Sequence, residues 1–435
     1  MVTSVIGKIF LQAYNEKNGT AYAPKDFFME IYYPLFFKGE KYLMTAGNSP
    51  FENPKLSWKD MILGKKPFET AERREERLRK FINKIDTGLA DASIAVGYPS
   101  IDTLSTTSGQ ISIPQEQIDP AESYLSWIGA GLGVGVEGGL TILFDKPELL
   151  LDIFEGWKVY RGLLNTTPNM RGNQINTWNA QWLRKKYDTV DTSESNNTAL
   201  LTKDGLAGID TLPWGELLVA ISRHFSDPKM MGYVYNIGQT NTTVGFIPFA
   251  LSPIRKAHQL YVRYFGADKC EKAMLLFGTA LGFSMACRGG VIGMRALEPK
   301  GLTAIMKSGK IPSYKPDNED QKIQFQTYQI WLLAMLSNEE LWNKAEAFAN
   351  TLQAYTVGGK SGRTGRSNAV KQLLEATNKK LFIERMSGIV ENAEETCELV
   401  EIASIINVMP ADNVPYFLTL IRFHYAVINR QETIN

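Results

Sequence analysis

From residue 252 to the C-terminus, apolar positions recur every three or four residues in one segment after another, the period of a helix with one buried stripe. Such segments cover 254–265, 321–336, 338–352, 367–389, 393–408 and 415–428. The uncharged run 273–287, bounded by Lys272 and Arg288, predicts a further helix buried in the core. It is 15 residues long, short of the roughly 20 that a membrane-spanning helix needs. The first ninety residues are helical in pattern too. Phe10, Leu11 and Tyr14 share a face, and Pro24 stands ahead of Phe27, Phe28, Ile31 and Tyr32, where a first helical turn tolerates it. Over 69–85, charges of opposite sign alternate at i,i+4 spacing and Leu78, Phe81, Ile82 and Ile85 form the apolar stripe. The interleaved glutamates make its basic residues a solvated, salt-bridged face.

Between about 92 and 145 the texture changes. The stretches 93–98, 110–113 and 140–144 have strand patterning, as do 231–238 and 243–247, which 239–242 joins as a turn. The apolar run 127–144 is interrupted by Glu137 and by glycines, and predicts a glycine-studded hairpin more readily than a helix. The polar, aperiodic stretch 188–205 predicts a long loop or boundary. The fold class expected is therefore α+β: a mixed helix and strand part with Gly-rich strands, then a predominantly helical bundle. The divisions expected are 1–190, a strand-containing join over 206–250, and a bundle over 251–435.

The length, 435 residues, suits two or three domains of ordinary size. With 47 basic against 46 acidic residues, no overall positive field captures nucleic acid, and binding of that kind needs a local patch. Three cysteines (Cys270, Cys287, Cys397) and three histidines (His224, His258, His424) show neither C-x-x-C nor H-x-x-x-H spacing. They predict no disulfide framework and no zinc site, although a carboxylate-held Mg²⁺ leaves no such trace. The N-terminus lacks a charged stretch followed by an apolar one, so the expected location is cytoplasmic, with no membrane partner.

Candidate chemistry is sparse. Gly133, Gly135 and Gly138 spell G-x-G-x-x-G, but a strand-forming run follows them where a dinucleotide loop requires a helix. Asp317, Asp320 and Lys322 carry the letters of a PD-(D/E)xK nuclease within one short loop, where Asp317 reads as a helix cap. Ser108 in 106–110 fits a polar turn, and no G-x-S-x-G elbow occurs. The acidic pair Glu137 and Asp145, with Lys146, is the better catalytic candidate: two carboxylates hold Mg²⁺ and a lysine positions the attacking water. Asn173, Asn176 and Asn179 share one helix face despite the poor helix propensity of asparagine. Either a buried amide network or contacts to base edges offsets that cost. The clearest electrostatic feature is 358–371, where Lys360, Arg363, Arg366 and Lys371 are spaced by glycines with no acid among them. The acidic stretch 387–412 balances the helical portion that follows, but not this basic segment itself.

An α+β front followed by a helical bundle resembles the layout of large subunits in CRISPR surveillance complexes. Ala46-Gly-Asn-Ser-Pro-Phe resembles a Gly-Asn-Pro-Phe stretch in some of them, over six residues with one inserted. The paired C-x-x-C motifs of part of that family are absent, and family membership is not drawn from the resemblance. Three functional expectations follow. The first is a non-catalytic nucleic-acid-binding subunit of a prokaryotic, antiviral-defence assembly, with other protein subunits as partners and no cofactor. It would contact phosphates through Lys360, Arg363, Arg366 and Lys371, and bases through the three asparagines. The second is a Mg²⁺-dependent nuclease using Glu137, Asp145 and Lys146. The third is a scaffold that binds no nucleic acid. Convergence of Glu137, Asp145 and Lys146 in one cleft would separate the second from the others.

Overall fold

The chain forms a first unit from Met1–Leu251 with Gly282–Ile292, and a second from Ser252–Leu281 with Gly293–Asn435. The structure is a computed structural model. It describes all residues except 47–48, 53–57, 88–93, 98–117, 188–199, 226–229, 237–241, 279, 359–361, 394 and 435, and except the side chains of 242 and 431–434.

The first unit opens with α1 (Val2–Asn18) and a bent helix made of α2 (Pro24–Phe27), a π-helical turn over Phe28–Tyr32, and α3 (Tyr33–Phe36). Pro34 cannot donate to the carbonyl one turn back, and the wider turn lies directly before it. Then come α4 (Trp58–Ile62), α5 (Ala71–Asp86) and α6 (Pro120–Gly131). In α5, Phe81 and Ile85 are buried and Glu76 pairs with Lys80 at 3.0 Å, at the expected i,i+4 spacing, while Glu69, just before the helix, clamps Arg77 at 2.6 and 3.0 Å.

Helices α1 and α6 touch through their backbones. A Cβ on Gly7 would lie 2.1 Å from the Leu125 carbonyl oxygen, and one on Gly129 would lie 1.8 Å from that of Thr3. Around this crossing Phe10, Phe28, Tyr32, Phe36, Trp127 and Trp157 are buried, and the Tyr32 hydroxyl donates to the Trp127 carbonyl at 2.8 Å.

From α6 the chain enters the hairpin β1 (Val134–Val136) and β2 (Leu140–Phe144), whose turn places Gly138 and Gly139 at positive φ. Next follow α7 (Pro147–Thr166), α8 (Ile175–Tyr187), a second hairpin of β3 (Leu200–Lys203) and β4 (Leu206–Ile209), and α9 (Trp214–His224). The strands β5 (Met230–Asn236) and β6 (Thr242–Phe249) complete a four-stranded antiparallel sheet in the order β1-β2-β5-β6. All five residues of β2 are buried, the polar Thr141 among them.

Helices α10 (Leu251–Phe265) and α11 (Cys270–Leu275) lead into the second unit. The chain then returns to the first through α12 (Phe283–Cys287), and Ile292 bonds beside β6 by exchanging backbone hydrogen bonds with Pro248 and Ala250. The rest of the second unit comprises α13 (Leu302–Ser308), α14 (Glu319–Leu336), α15 (Glu340–Val357), α16 (Arg363–Leu374), α17 (Lys379–Val390), α18 (Cys397–Val408) and α19 (Val414–Ile434). Helix α14 is central: every residue over 327–334 is buried, so this stretch is enclosed on all sides, and the buried Thr327 hydroxyl donates to the Ile323 carbonyl at 2.8 Å. Arg422 of α19 is buried, pairs with no carboxylate among the described residues, and turns instead to the last carbonyls of α13, Ile305 and Met306, at 3.4 and 3.5 Å. His424, one half-turn on, meets the Trp342 ring edge-on at 4.5 Å, and burial pushes its pKa down to about 4.

The α+β class with a helical C-terminal part is what the structure shows. Several local expectations are corrected. The run 273–287 is not one helix but α11 and α12, broken where Gly278 takes φ +77°. The segment 367–389 is two helices, parted by the Asn378 cap of α17. Trp127–Gly131 lies in α6 and not in a hairpin. Residues 94–97 form turns where a strand was expected, and 110–113 fall outside the described residues. Asn318, not Asp317, caps α14, accepting from the Gln321 amide at 3.0 Å. The end of the expected loop 188–205 is the strand β3, closed by Asp204 and Gly205, both at positive φ.

Two outcomes follow from this packing. Gly7→Ala should lower the stability of the first unit by about 3 kcal/mol in urea unfolding, because backbone cannot yield to the new methyl. Gly162→Ala, on an exposed helix position with nothing within 4 Å, should instead raise it by about 0.5–1 kcal/mol. The second outcome concerns pH. The folded chain keeps His424 neutral down to about pH 4, whereas the unfolded chain takes up a proton near its ordinary 6.5. Stability is therefore full above that value and falls as pH drops from 6.5 to 4, by about 3 kcal/mol. His424→Leu should remove this part of the pH dependence in thermal unfolding measured from pH 4 to 7.

Candidate nucleic-acid interface

The glycine run is held by amides. The buried C-terminus of α6 leaves carbonyls without helical partners, and such groups require donors from elsewhere. Asn176 donates to the carbonyls of Ala130 (3.2 Å) and Gly133 (2.8 Å), and Asn179 donates to those of Gly131 and Gly133, both at 2.8 Å. Asn173, at φ +58°, stands before α8 and not on it, so of the three asparagines expected on one helix face only Asn176 and Asn179 share it; Asn173 accepts from the Thr45 amide at 2.9 Å. The amide donors of Asn176 and Asn179 are thus spent on the protein's own backbone, and Asn179 is fully buried. Base reading by these two side chains would first break that frame. Gly135 completes the arrangement: a Cβ there would lie 3.1 Å from the backbone of Asn176 and Thr177, so α8 rests directly on β1. The stripe Ile175, Trp178 and Trp182 faces α7, where both indoles donate to carbonyls, Trp178 to Gly156 at 2.8 Å and Trp182 to Asp152 at 2.7 Å.

Glu137 and Asp145 do not converge. Glu137 sits in the turn before β2 and Asp145 directly after it, so the five residues of the strand, about 17 Å, separate them. Lys146 lies 3.8 Å from Glu148 and 5.9 Å from the centre of the Phe225 ring. One Mg²⁺ cannot be shared by two carboxylates at that separation. Among the described residues no group of three His, Cys, Asp or Glu side chains is placed to hold a metal.

The basic segment has more order than its glycines imply. Lys360 lies outside the described residues, but Arg363 opens α16 after Gly362, which takes φ +81°. Arg363, Arg366 and Lys371 therefore stand on a helix. Arg363 and Arg366 are about 60° apart around its axis, and Lys371 is about 140° from Arg366. Arg363 and Lys371 are exposed, and Arg366 is half-buried.

A second basic face, on α10, was not among the residues singled out from sequence. Ser252, Arg255, Lys256, Gln259 and Arg263 fall within an arc of about 100° on that helix. They line a cleft of about 350 Å³, with Leu260 at its base and Glu339 across from them. The Glu339 carboxylate bonds Arg263 and lies 3.3 Å from Lys256. The hydrogen bond from Lys256, aided by the charge of Arg263, holds its pKa below the usual carboxylate range. The signal was legible: Leu251–Phe265 contains Arg255, Lys256 and Arg263 and no acid. Glu339, opposite the α10 face, stands directly before α15, and α16 follows that helix in the chain.

Compared with known proteins, the chain matches no family model, no curated protein and no solved structure.

Asn179→Ala should cost about 2 kcal/mol in the unfolding of the first unit, since it strips a buried carbonyl of its donor. Per folded molecule it should leave nucleic-acid affinity unchanged in a filter-binding titration.

Proposed function

We propose that this chain is a non-catalytic nucleic-acid-binding subunit of a larger prokaryotic assembly, contacting phosphates through the basic faces of α10 and α16. The observation that carries the reading is the α10 face: three cations within one arc, opposed by a single carboxylate, on a body whose charges otherwise balance. The separation of Glu137 from Asp145 supports a binding role over the nuclease alternative. Exposed apolar side chains support protein partners: Phe246 on β6 is 63% exposed, with its ring tilted against that of Tyr233 at 5.1 Å. No helix among the described residues is long and apolar enough to cross a membrane. The antiviral setting rests on the resemblance of layout to large CRISPR-complex subunits.

The test is a salt titration with a 20-nucleotide strand, single and duplexed, as DNA and as RNA. Replacing Lys360, Arg363, Arg366 and Lys371 together by Glu should flatten the slope of log K against log salt by roughly three units. Circular dichroism should be unchanged. An unaltered slope would remove α16 from the interface. The same strands incubated with Mg²⁺ or Mn²⁺ should remain intact, and cleavage lost on Glu137→Ala or Asp145→Ala would establish the nuclease instead.

A further inference from the structure

We propose that the α10 cleft is a phosphate-binding site in which Glu339 serves as a displaceable internal counter-ion. The inference rests on the nucleic-acid reading only for the source of the phosphate. Three properties of the cleft point to this ligand.

The first is the donor set. Arg255 offers a planar fork that matches two phosphate oxygens, and among the described residues no carboxylate pairs with it. Gln259 and Ser252, on the same arc, add neutral donors. The second is charge. Arg255, Lys256 and Arg263 against Glu339 leave three cations and one anion, so the empty cleft keeps an excess of two positive charges. The third is size. A volume of about 350 Å³ holds a phosphodiester with its flanking sugar atoms, and the lining is too polar for an apolar ligand.

Glu339 makes the site switchable. It occupies Lys256 and Arg263 in the free chain and keeps both side chains on the cleft. Ion pairs between side chains this exposed are weak and exchange readily. A phosphate seated on Arg255 therefore competes with Glu339 for the other two cations, and the carboxylate swings away as the ligand settles. Glu339 thus tunes affinity downward, reserving the site for a ligand that brings several phosphates at once.

The experiment compares the wild-type chain with Glu339→Gln, Arg255→Ala and Arg255→Lys, each checked for unaltered thermal unfolding. Two probes are used: a fluorescein-labelled 20-nucleotide single strand and inorganic pyrophosphate. With the strand, Glu339→Gln should tighten binding about fivefold at low salt. Arg255→Ala should weaken it and lower the salt slope by about 0.7. Arg255→Lys should recover the slope but not the full affinity, because the point charge lacks the fork. If the strand binds and none of the three variants changes its affinity, the cleft proposal is overturned, α10 leaves the proposed interface, and nucleic-acid binding stands on α16 alone. If the strand does not bind but pyrophosphate does, with the same order of variants, the phosphate site stands and the nucleic-acid reading falls. Indifference of both probes to all three variants overturns the site outright.

Discussion

The first unit depends on one contact, the backbone crossing of α1 and α6 at Gly7 and Gly129. Two helices can approach this closely only where neither carries a Cβ, and each glycine surrenders helix propensity to permit it. The crossing fixes where α6 ends, inside the protein and not at its surface. Its last carbonyls are then buried, and Asn176 and Asn179 must reach them from α8. That requirement presses α8 onto β1 at Gly135, which in turn places the first strand of the sheet. A glycine-rich run that resembles a phosphate loop in letters is thus a series of close approaches between the protein's own backbones.

The same economy governs several cations at helix ends. Arg161 donates to the carbonyls of Leu35 and Lys41 at 2.7 and 2.8 Å, and to that of Phe36 at 3.3 Å, near the end of α3. Arg422 does the equivalent for α13, and Lys379 for α18 through the carbonyls of Asn407 and Met409. Helix C-termini carry partial negative charge, so they stabilise a guanidinium where a carboxylate would bring its own desolvation cost. Burial lowers the pKa of both arginines to about 10, which still leaves them charged near neutrality. These cations are committed to holding helix ends. Among the described residues, Arg255, Lys256 and Arg263 of α10 hold no such helix end, which is why the functional reading falls on them.

Much of the second unit was legible from period alone. An apolar stripe repeating at 3.6 residues specifies a helix whatever it packs against: 321–336 and 415–428 lie within observed helices, and 338–352 is helical from Glu340 on. Breaks were less legible. The run 273–287 has no residue that forbids a helix outright; its interruption comes where the chain leaves one unit for the other. The hairpin at Asp204 and Gly205 carried its own signal, since that dipeptide favours the two-residue turn with both residues at positive φ. The surrounding polarity obscured it. On the candidate interface, the basic character of Arg363, Arg366 and Lys371 was plain, but their glycine spacing suggested a loop where Arg363 in fact begins a helix.

By itself the sequence determined the helical stripes, the overall α+β class and the absence of acids among the bases of α10 and 358–371. These are properties of spacing and composition, which act between near neighbours in the chain. Only the tertiary structure decided that Asn176 and Asn179 serve carbonyls, that Glu137 and Asp145 stand a strand apart, and that Glu339 lies opposite Lys256 and Arg263. Each of those depends on which distant backbone a side chain meets after packing. A residue type states what bonds it can make, and the partner is chosen by geometry that residues far along the chain impose.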